Sequence, residues 1–256
     1  MMKKLLFMFI TFVLSFSLSG CNTNNEIVYE DFIYCGSTDM MGKYCLSIKG
    51  LSEQGKSKEI VVIPTIIKNK LVKSLGYETG LSINGKIESD IIEKLYVHNQ
   101  IERHINPEFF GGDISFVYLG YSYEKLSYMM FDINCKVFVS KNDFLQAFDE
   151  EFYLRYNEGL LNNEYEYTKI KFANVIYYYN YDNKLFFVDD CDGSTVNVIP
   201  PTPYREGYEF AGWYKEPECI NKWDFENDLV PAKEYDENGE YILKETKLYA
   251  KWEKKR

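Results

Sequence analysis

The residues of this chain that could carry out acid–base or metal chemistry are few and poorly spaced. The two histidines, His98 and His104, lie six residues apart in a strand-then-loop context, without the i, i+4 spacing and adjacent glutamate of a helical zinc protease motif. The acidic run Val-Asp-Asp-Cys-Asp-Gly-Ser at 188–194 puts Val188 at the first ligand position of a calcium loop and Ile199 at the position of the closing glutamate. No Gly-x-Ser-x-Gly elbow or phosphate-binding Gly-rich loop occurs. We therefore predict a turn at 188–194, no catalytic residue, and no metal or other cofactor.

The amino-terminal segment carries a cysteine whose thiol is placed for modification. Two lysines precede an apolar stretch from Leu5 to Leu14, which continues with small hydroxyl residues to Leu18. This pattern is typical of a secretory signal peptide, and the run is shorter than the roughly 18 to 20 residues of a membrane-spanning helix. A buried amino-terminal helix is the alternative. The segment Leu-Ser-Gly-Cys at 18–21 resembles the bacterial lipobox, which implies a signal peptide over 1–20, acylation of Cys21, and membrane lipid as a partner on the outer side of the cell.

The other cysteines leave their pairing open. They are Cys35, Cys45, Cys135, Cys191 and Cys219. This odd number leaves at least one unpaired unless it crosslinks two chains. Cys35 and Cys45 could close a hairpin, and Cys191 and Cys219 share the carboxy-terminal region. No pair has Cys-x-x-Cys spacing, so the sequence supports neither a zinc ribbon nor a thioredoxin-like site.

The charge of the chain excludes one class of partner. The formal net charge is -10 at pH 7, and removing the two signal-peptide lysines makes it -12. Because nucleic-acid binding depends on Lys and Arg that neutralise phosphates, we expect no nucleic-acid partner. The length after the signal peptide fits one large or two modest domains. Residues 21–43 are predicted to be a tether and lead-in segment.

Short apolar strands recur in the middle of the chain. Tyr96, Val117 and Phe138 fall 21 residues apart, and self-similarity at such a period is typical of a solenoid. The strings Ile-Val-Val-Ile-Pro at 60–64, Leu-Val-Lys-Ser-Leu-Gly at 71–76 and Ile-Glu-Arg-His-Ile-Asn-Pro-Glu-Phe-Phe-Gly-Gly at 101–112 resemble the irregular, BspA-type leucine-rich repeats of bacterial surface antigens. The resemblance covers Tyr44 to Phe148 and implies a short leucine-rich-repeat solenoid. Asn84-Gly85 predicts a hairpin turn in an insertion. An ordinary α+β domain with accidental spacing is the alternative.

A helical pattern follows the repeats. Its apolar residues are Phe144, Leu145, Phe148, Phe152 and Leu154. Their spacing predicts one helix that starts at about Lys141 and ends near Gly159. We interpret it as the cap that shields the last apolar edge of the array, within a leucine-rich-repeat-like domain over 44–165. A partner-binding amphipathic helix is the alternative.

The carboxy-terminal region, 166–256, is predicted to consist of strands and turns. Asp182-Asn183 and Asn238-Gly239 each predict a hairpin. Pro-Pro-Thr-Pro-Tyr-Arg-Glu-Gly-Tyr-Glu-Phe-Ala-Gly-Trp-Tyr at 200–214 and the closing Lys-Leu-Tyr-Ala-Lys-Trp at 247–252 resemble the Listeria-Bacteroides repeat, the B-repeat module of internalin-like surface proteins. The resemblance implies a small β-grasp-like fold.

Part of this motif is predicted to build the fold of the module. Its members are Gly207, Tyr208, Phe210, Gly212, Trp213, Tyr249 and Trp252. The glycines permit positive φ or close backbone approach. The aromatic rings supply apolar area to a module small enough to be marginally stable.

These features together predict a fold that is mainly β with some α, in which a short leucine-rich-repeat solenoid precedes a small β-grasp-like module. We expect a non-enzymatic, membrane-anchored cell-surface lipoprotein that binds a protein or glycan ligand of a host or of the cell envelope, since solenoids present an extended face. A passive structural spacer, or an accessory subunit of an envelope assembly, is the alternative.

Overall fold

The computed structural model describes residues 26–38, 41–79, 82–104, 114–121, 136–157 and 169–256. Over these ranges the chain is mainly β, with 42% of residues in strands and 9% in helices, so the predicted class is confirmed at this level. No helix within them is long and apolar enough to cross a membrane. The predicted signal peptide, 1–20, and Cys21 lie outside the described residues.

The strands and helices are numbered in chain order. The strands are β1 Ile27–Tyr29, β2 Phe32–Thr38, β3 Tyr44–Leu51, β4 Ile60–Val62, β5 Ile66–Ile67, β6 Lys70–Leu75, β7 Tyr77–Thr79, β8 Ser82–Asn84, β9 Lys94–Val97, β10 Arg103–His104, β11 Phe116–Leu119, β12 Lys136–Val139, β13 Lys169–Phe172, β14 Val175–Tyr178, β15 Leu185–Asp189, β16 Tyr208–Tyr214, β17 Glu234–Tyr235, β18 Tyr241–Ile242 and β19 Thr246–Lys254. The helices are α1 Glu53–Lys56, α2 Lys141–Ala147 and α3 Glu150–Asn157.

Most of these strands belong to one of three sheets. The amino-terminal sheet has the order β1-β2-β3-β6-β10, with β5 also paired to β6. The central sheet has the order β13-β12-β11-β9-β4, and the carboxy-terminal sheet has the order β15-β14-β19-β16. The pairs β7–β8 and β17–β18 form separate two-stranded hairpins.

The amino-terminal sheet begins inside the segment predicted to be a tether. β2 pairs antiparallel with β3 from Phe32 opposite Leu51 to Thr38 opposite Tyr44, across the boundary predicted at residue 43. The side chain of Tyr34 on β2 is fully buried. Residues 27–38 are therefore part of the folded body.

The five strands of the central sheet are parallel, and their order across the sheet follows their order in the chain. One row of directly opposite residues is buried in the core that this sheet shares with the amino-terminal sheet, and it consists of Val61, Leu95, Val117, Val137 and Ile170. Because side chains alternate along a strand, the next residues face the opposite side. There Tyr96, Tyr118 and Phe138 form a stack, with successive ring centroids 4.2 and 4.8 Å apart.

The equal 21-residue spacing predicted for this region is wrong in its middle member. Tyr96 lies opposite Tyr118, and Tyr118 lies opposite Phe138, so the steps are 22 and 20 residues. Val117 belongs to the aliphatic row on the other face. A one-residue shift of register moves a side chain across the sheet, and loops of unequal length between strands hide that shift from a fixed-period analysis.

The single helix predicted from about Lys141 to near Gly159 is two helices. Ser140 caps the start of α2, which ends at Phe148, where the backbone is extended. Asp149 then begins α3, because its carboxylate accepts the backbone N–H of Phe152 at 2.7 Å. A polar residue that can cap a helix start interrupts the apolar periodicity at this point.

The carboxy-terminal sheet contains the last strand of the chain as an inner strand. β19 runs parallel to β14 and antiparallel to β16, and it lies between them. β14 and β15 form the hairpin predicted at Asp182-Asn183, where both residues have positive φ. β17 and β18 form the hairpin predicted at Asn238-Gly239. Both hairpin predictions are confirmed.

The hairpin turn predicted at Asn84-Gly85 is wrong. Tyr77 pairs with Asn84 and Thr79 pairs with Ser82, so the chain reverses before Ser82. Asn84 ends strand β8, and Gly85 follows with a φ of 97°. The Asn-Gly signal therefore marks the end of a strand here instead of the tip of a hairpin.

Candidate binding surface

The aromatic motif residues lie on two paired strands. Tyr208, Phe210 and Trp213 are on β16, and Tyr249 and Trp252 are on β19, so strand pairing brings all five together. Trp213 is only 2% exposed, and the other four are partly buried. The motif therefore divides its rings between the core of the module and its surface.

The two motif glycines have different reasons to be glycine. Gly207 has a φ of 78°, and a Cβ atom there would meet nothing within 4 Å. Gly212 has a φ of 122° at a bulge of β16, and a Cβ atom would lie 2.8 Å from Cε of Lys222. Gly207 thus serves backbone conformation alone, whereas Gly212 serves conformation and close packing.

Arg205 is enclosed by aromatic rings. Its guanidinium carbon lies 3.8 Å from the ring centroid of Tyr208, 4.4 Å from that of Tyr181 and 5.9 Å from that of Trp252. The indole N–H of Trp252 donates to the carbonyl oxygen of Tyr179 at 2.5 Å. Cation–π attraction at these distances holds the segment before β16 against the end of β19.

The carboxy-terminal module covers the aromatic face of the central sheet. Tyr96 stacks on Phe187 of β15, with ring centroids 5.4 Å apart and an interplanar angle of 14°. Tyr96, Tyr118 and Trp213 belong to one buried hydrophobic cluster. The backbone N–H of Asn99 donates to the carbonyl oxygen of Phe186 at 2.8 Å. The central sheet and the module therefore share a core.

Side chains at the rim of this junction hold the segment before β16. Gln100 makes two hydrogen bonds to the backbone of Tyr204, donating from Nε2 at 2.6 Å and accepting at Oε1 at 2.7 Å. The hydroxyl of Thr65 donates to the carbonyl oxygen of Thr202 at 2.5 Å. These contacts fix the proline-rich lead-in to the repeat-like body.

Asp189 is a fully buried carboxylate at the junction. Its Oδ1 accepts from the Tyr96 hydroxyl at 2.9 Å, the Asp190 backbone N–H at 2.9 Å and Nδ2 of Asn197 at 2.8 Å. Its Oδ2 accepts the Asn197 backbone N–H at 2.8 Å and the Cys191 thiol at 3.5 Å. Burial, reinforced by this carboxylate, raises the pKa of Tyr96 far above its ordinary value. The phenol stays protonated and donates, so the network has a structural role.

The rest of the acidic run at 188–194 is engaged in a turn. The carboxylate of Asp190 pairs with Lys233 at 2.6 Å, and Oδ1 of Asp192 accepts the Lys233 backbone N–H at 2.7 Å. No group of three metal-ligating side chains occurs in the described part of the chain.

The two histidines occupy different environments. His98 is fully buried, its Nδ1 accepts the backbone N–H of Gln100 at 3.1 Å, and its Nε2 lies 3.1 Å from the carbonyl oxygen of Pro64. Nε2 must therefore carry the proton, which makes the imidazole neutral. The ring stacks on Phe186 at 5.8 Å. His104 lies on β10 of the amino-terminal sheet.

The cysteines do not form the bridges considered from the sequence. Cys35 is disulfide-bonded, and Cys45 is not its partner. The β2–β3 register displaces these two cysteines by two positions. Cys191 and Cys219 are free thiols. Burial raises the pKa of both thiols, so they are poor nucleophiles. Cys135 lies outside the described residues.

These strands, glycines and stacked rings define a small aromatic β-module of the bacterial repeat class. Residues 188–251 match the family model of the Listeria-Bacteroides repeat domain, so the chain carries one such module. The match covers a quarter of the chain. It begins near the end of β15, so β14 and most of β15 complete the sheet from outside the matched segment.

A cleft of about 970 Å³ separates α2 from the carboxy-terminal module. The helix side presents Lys141, Asn142, Leu145 and Gln146, and the module side presents Tyr178, Leu243, Glu245 and Lys247. Burial, with the nearby carboxylates, raises the pKa of Tyr178, so its phenol is a hydrogen-bond donor at neutral pH. Sequence reasoning did not find this cleft, because its two walls come from separate stretches of the chain.

Proposed function

We propose that this protein is a non-enzymatic cell-surface lipoprotein that binds a protein or glycan ligand of a host or of the cell envelope. The observation that carries the proposal is the Listeria-Bacteroides repeat module at 188–251, which resembles the B-repeat modules of internalin-like surface proteins. Its seating on the central sheet through a common core makes the two parts a rigid platform. Such a platform loses little conformational entropy when it binds.

Two finer assignments of the fold accompany this proposal. The central sheet is a short leucine-rich-repeat solenoid, supported by parallel strands that follow chain order and by steps of 22 and 20 residues between Tyr96, Tyr118 and Phe138, close to the repeat lengths of that class. The carboxy-terminal sheet is β-grasp-like, supported by a parallel inner pair, β14 and β19, flanked by one antiparallel strand on each side.

The membrane anchor is acylated Cys21. Its support is the segment Leu-Ser-Gly-Cys at the end of the apolar run, together with the disulfide at Cys35, since structural disulfides persist in oxidising compartments outside the cytosol. Labelled fatty acid fed to expressing cells should enter the wild type and the control Cys219→Ala, and it should not enter Cys21→Ala. Equal labelling of all three would refute the anchor.

Binding itself is tested with residues 22–256, purified without lipid, on intact host cells, extracellular matrix and isolated envelope of the producing cell. We expect saturable retention on one of these surfaces that excess unlabelled protein competes away. Retention on none of them, from a folded and monodisperse sample, would favour the alternative of a passive spacer or accessory envelope subunit.

A further inference from the structure

We propose that the cleft between α2 and the carboxy-terminal module binds a short oligosaccharide. This names the ligand class and the site of the binding function proposed above, and it rests on that function. The cleft, of about 970 Å³, lies at the upper end of the roughly 300 to 1,000 Å³ typical of ligand pockets, which favour boundaries between domains. Its length and openness suit several linked rings better than one small metabolite.

The helix wall supplies paired hydrogen-bonding groups. Asn142 and Gln146 are one helical turn apart, line the cleft and are exposed. Each side-chain amide offers both a donor and an acceptor. Adjacent hydroxyls of a sugar each need a donor and an acceptor, so two amides spaced along a helix match a row of hydroxyls.

The inner surface of the cleft is apolar. Leu145 on the helix and Leu243 and Tyr178 on the module are each partly buried. Sugar rings have faces that expose only C–H bonds, and those faces gain free energy when they cover apolar or aromatic surface. An amphipathic ligand of this kind satisfies both sets of groups, whereas a purely ionic ligand would leave the apolar surface wet.

The charges of the cleft fit a neutral or weakly anionic sugar. Lys247 pairs with Glu245 at 3.1 Å, and the ammonium of Lys141 lies 5.6 Å from the ring centroid of Phe172. These side chains give the cleft one net positive charge in a chain whose net charge is -10. A cationic ligand would be repelled by the lysines.

The backbone of the module wall disfavours a peptide that binds as an added strand. Lys247 lies on β19, which is already paired with β14 and β16 on its two sides. Strand addition needs a sheet edge with unpaired N–H and C=O groups, and β19 does not offer one. Recognition in this cleft must therefore come from side chains.

The test titrates purified full-length protein in detergent with tetrasaccharides of β-1,4-linked glucose, N-acetylglucosamine and galacturonic acid. We expect at least one to bind, and the double variant Asn142→Ala/Gln146→Ala to bind it at least about tenfold more weakly. Alanine is the best helix former, so α2 is retained. The control Gln54→Ala removes an exposed amide from α1, outside the cleft, and should bind like the wild type.

Two outcomes would overturn the proposal. One is no binding of any of these sugars by the wild type at up to about 10 mM, and the other is equal binding by the double variant. Retention of the same variants on cells and envelope separates the two proposals. If the wild type and the double variant are retained equally, the cleft assignment fails and surface binding stands. If neither is retained, surface binding itself fails.

Discussion

Tyr96 and Phe187 stack with their ring centroids 5.4 Å apart, although one belongs to the central parallel sheet and the other to the carboxy-terminal sheet. The Tyr96 hydroxyl also donates to Asp189, beyond the same strand, at 2.9 Å. A stack and a buried hydrogen bond at one junction mean that neither sheet has a complete core of its own. We therefore expect the two sheets to unfold in one transition.

Gly120→Ala should separate the two sheets. A Cβ atom at Gly120 would lie 2.3 Å from the carbonyl oxygen of Phe186 and 2.7 Å from Cα of Phe187, both backbone atoms that cannot move aside alone. We expect the free energy of unfolding, measured in urea, to fall by about 1 to 3 kcal/mol or more. The control Gly36→Ala meets only the exposed ring of Tyr44 and should change it by about 0.5 kcal/mol or less. Similar unfolding of both variants would contradict the close contact.

Asp189→Ala should cost much more than Tyr96→Phe. The first leaves the buried Tyr96 hydroxyl and the Asn197 N–H without an acceptor, which we expect to lower the free energy of unfolding by about 3 kcal/mol or more. The second leaves Asp189 with its other donors, so about 0.5 to 1.5 kcal/mol should be lost. Both variants and the double variant are compared by chemical denaturation. If the two single variants lose equal stability, Asp189 is not the centre of the network.

Stability should fall above about pH 10 because of buried phenols. Burial raises the folded-state pKa of six tyrosines, Tyr34, Tyr96, Tyr118, Tyr121, Tyr177 and Tyr179. Above the unfolded-state pKa the unfolded chain has lost these protons and the folded chain keeps them, so rising pH favours unfolding. Each such phenol contributes a slope of about 1.4 kcal/mol per pH unit there, and none at neutral pH.

The measurement for this prediction is a phenolate absorbance titration run alongside near-ultraviolet circular dichroism. The last group of tyrosines should ionise only when the tertiary signal disappears. Ionisation of every tyrosine in one step while the tertiary signal persists would show that these phenols are not buried.

Trp213→Ala should lower the free energy of unfolding of the full-length protein by about 3 to 5 kcal/mol. Trp213 is 2% exposed and packs edge-on to Tyr177, with centroids 5.0 Å apart, so its removal leaves a cavity in the shared core. The control Tyr235→Ala removes a ring that is 59% exposed in the same module and should have little effect. A loss below about 1 kcal/mol for Trp213→Ala, well short of that cavity cost, would overturn its assignment to the core.

Local signals in the sequence were sufficient for several parts of this fold. The hairpin at Asp182-Asn183 follows from two residues that tolerate positive φ between aromatic runs. The glycines at 207 and 212 have the backbone angles for which glycine is suited. The burial of Trp213 follows from the scarcity of large apolar side chains in a small module.

Features that depend on distant partners could not be derived in this way. The register of the central sheet depends on loop lengths, so Val117 was assigned to the wrong face. Asp189 is separated from Tyr96 by 93 residues, and a carboxylate within an acidic run carries no sign that it will be buried. The cleft combines a helix and a strand that approach only after the two sheets pack together.

The position of β19 between β14 and β16 has a consequence for biosynthesis. Translation proceeds from the amino terminus, so the tyrosine stack of the central sheet exists long before the strands that cover it. β14 waits for its parallel neighbour until Thr246–Lys254 has been made. Nascent or prematurely terminated chains therefore display sticky aromatic surface to chaperones and proteases. Resistance to proteolysis, gained only when the final strand inserts, lets quality control in the cell distinguish finished molecules from unfinished ones.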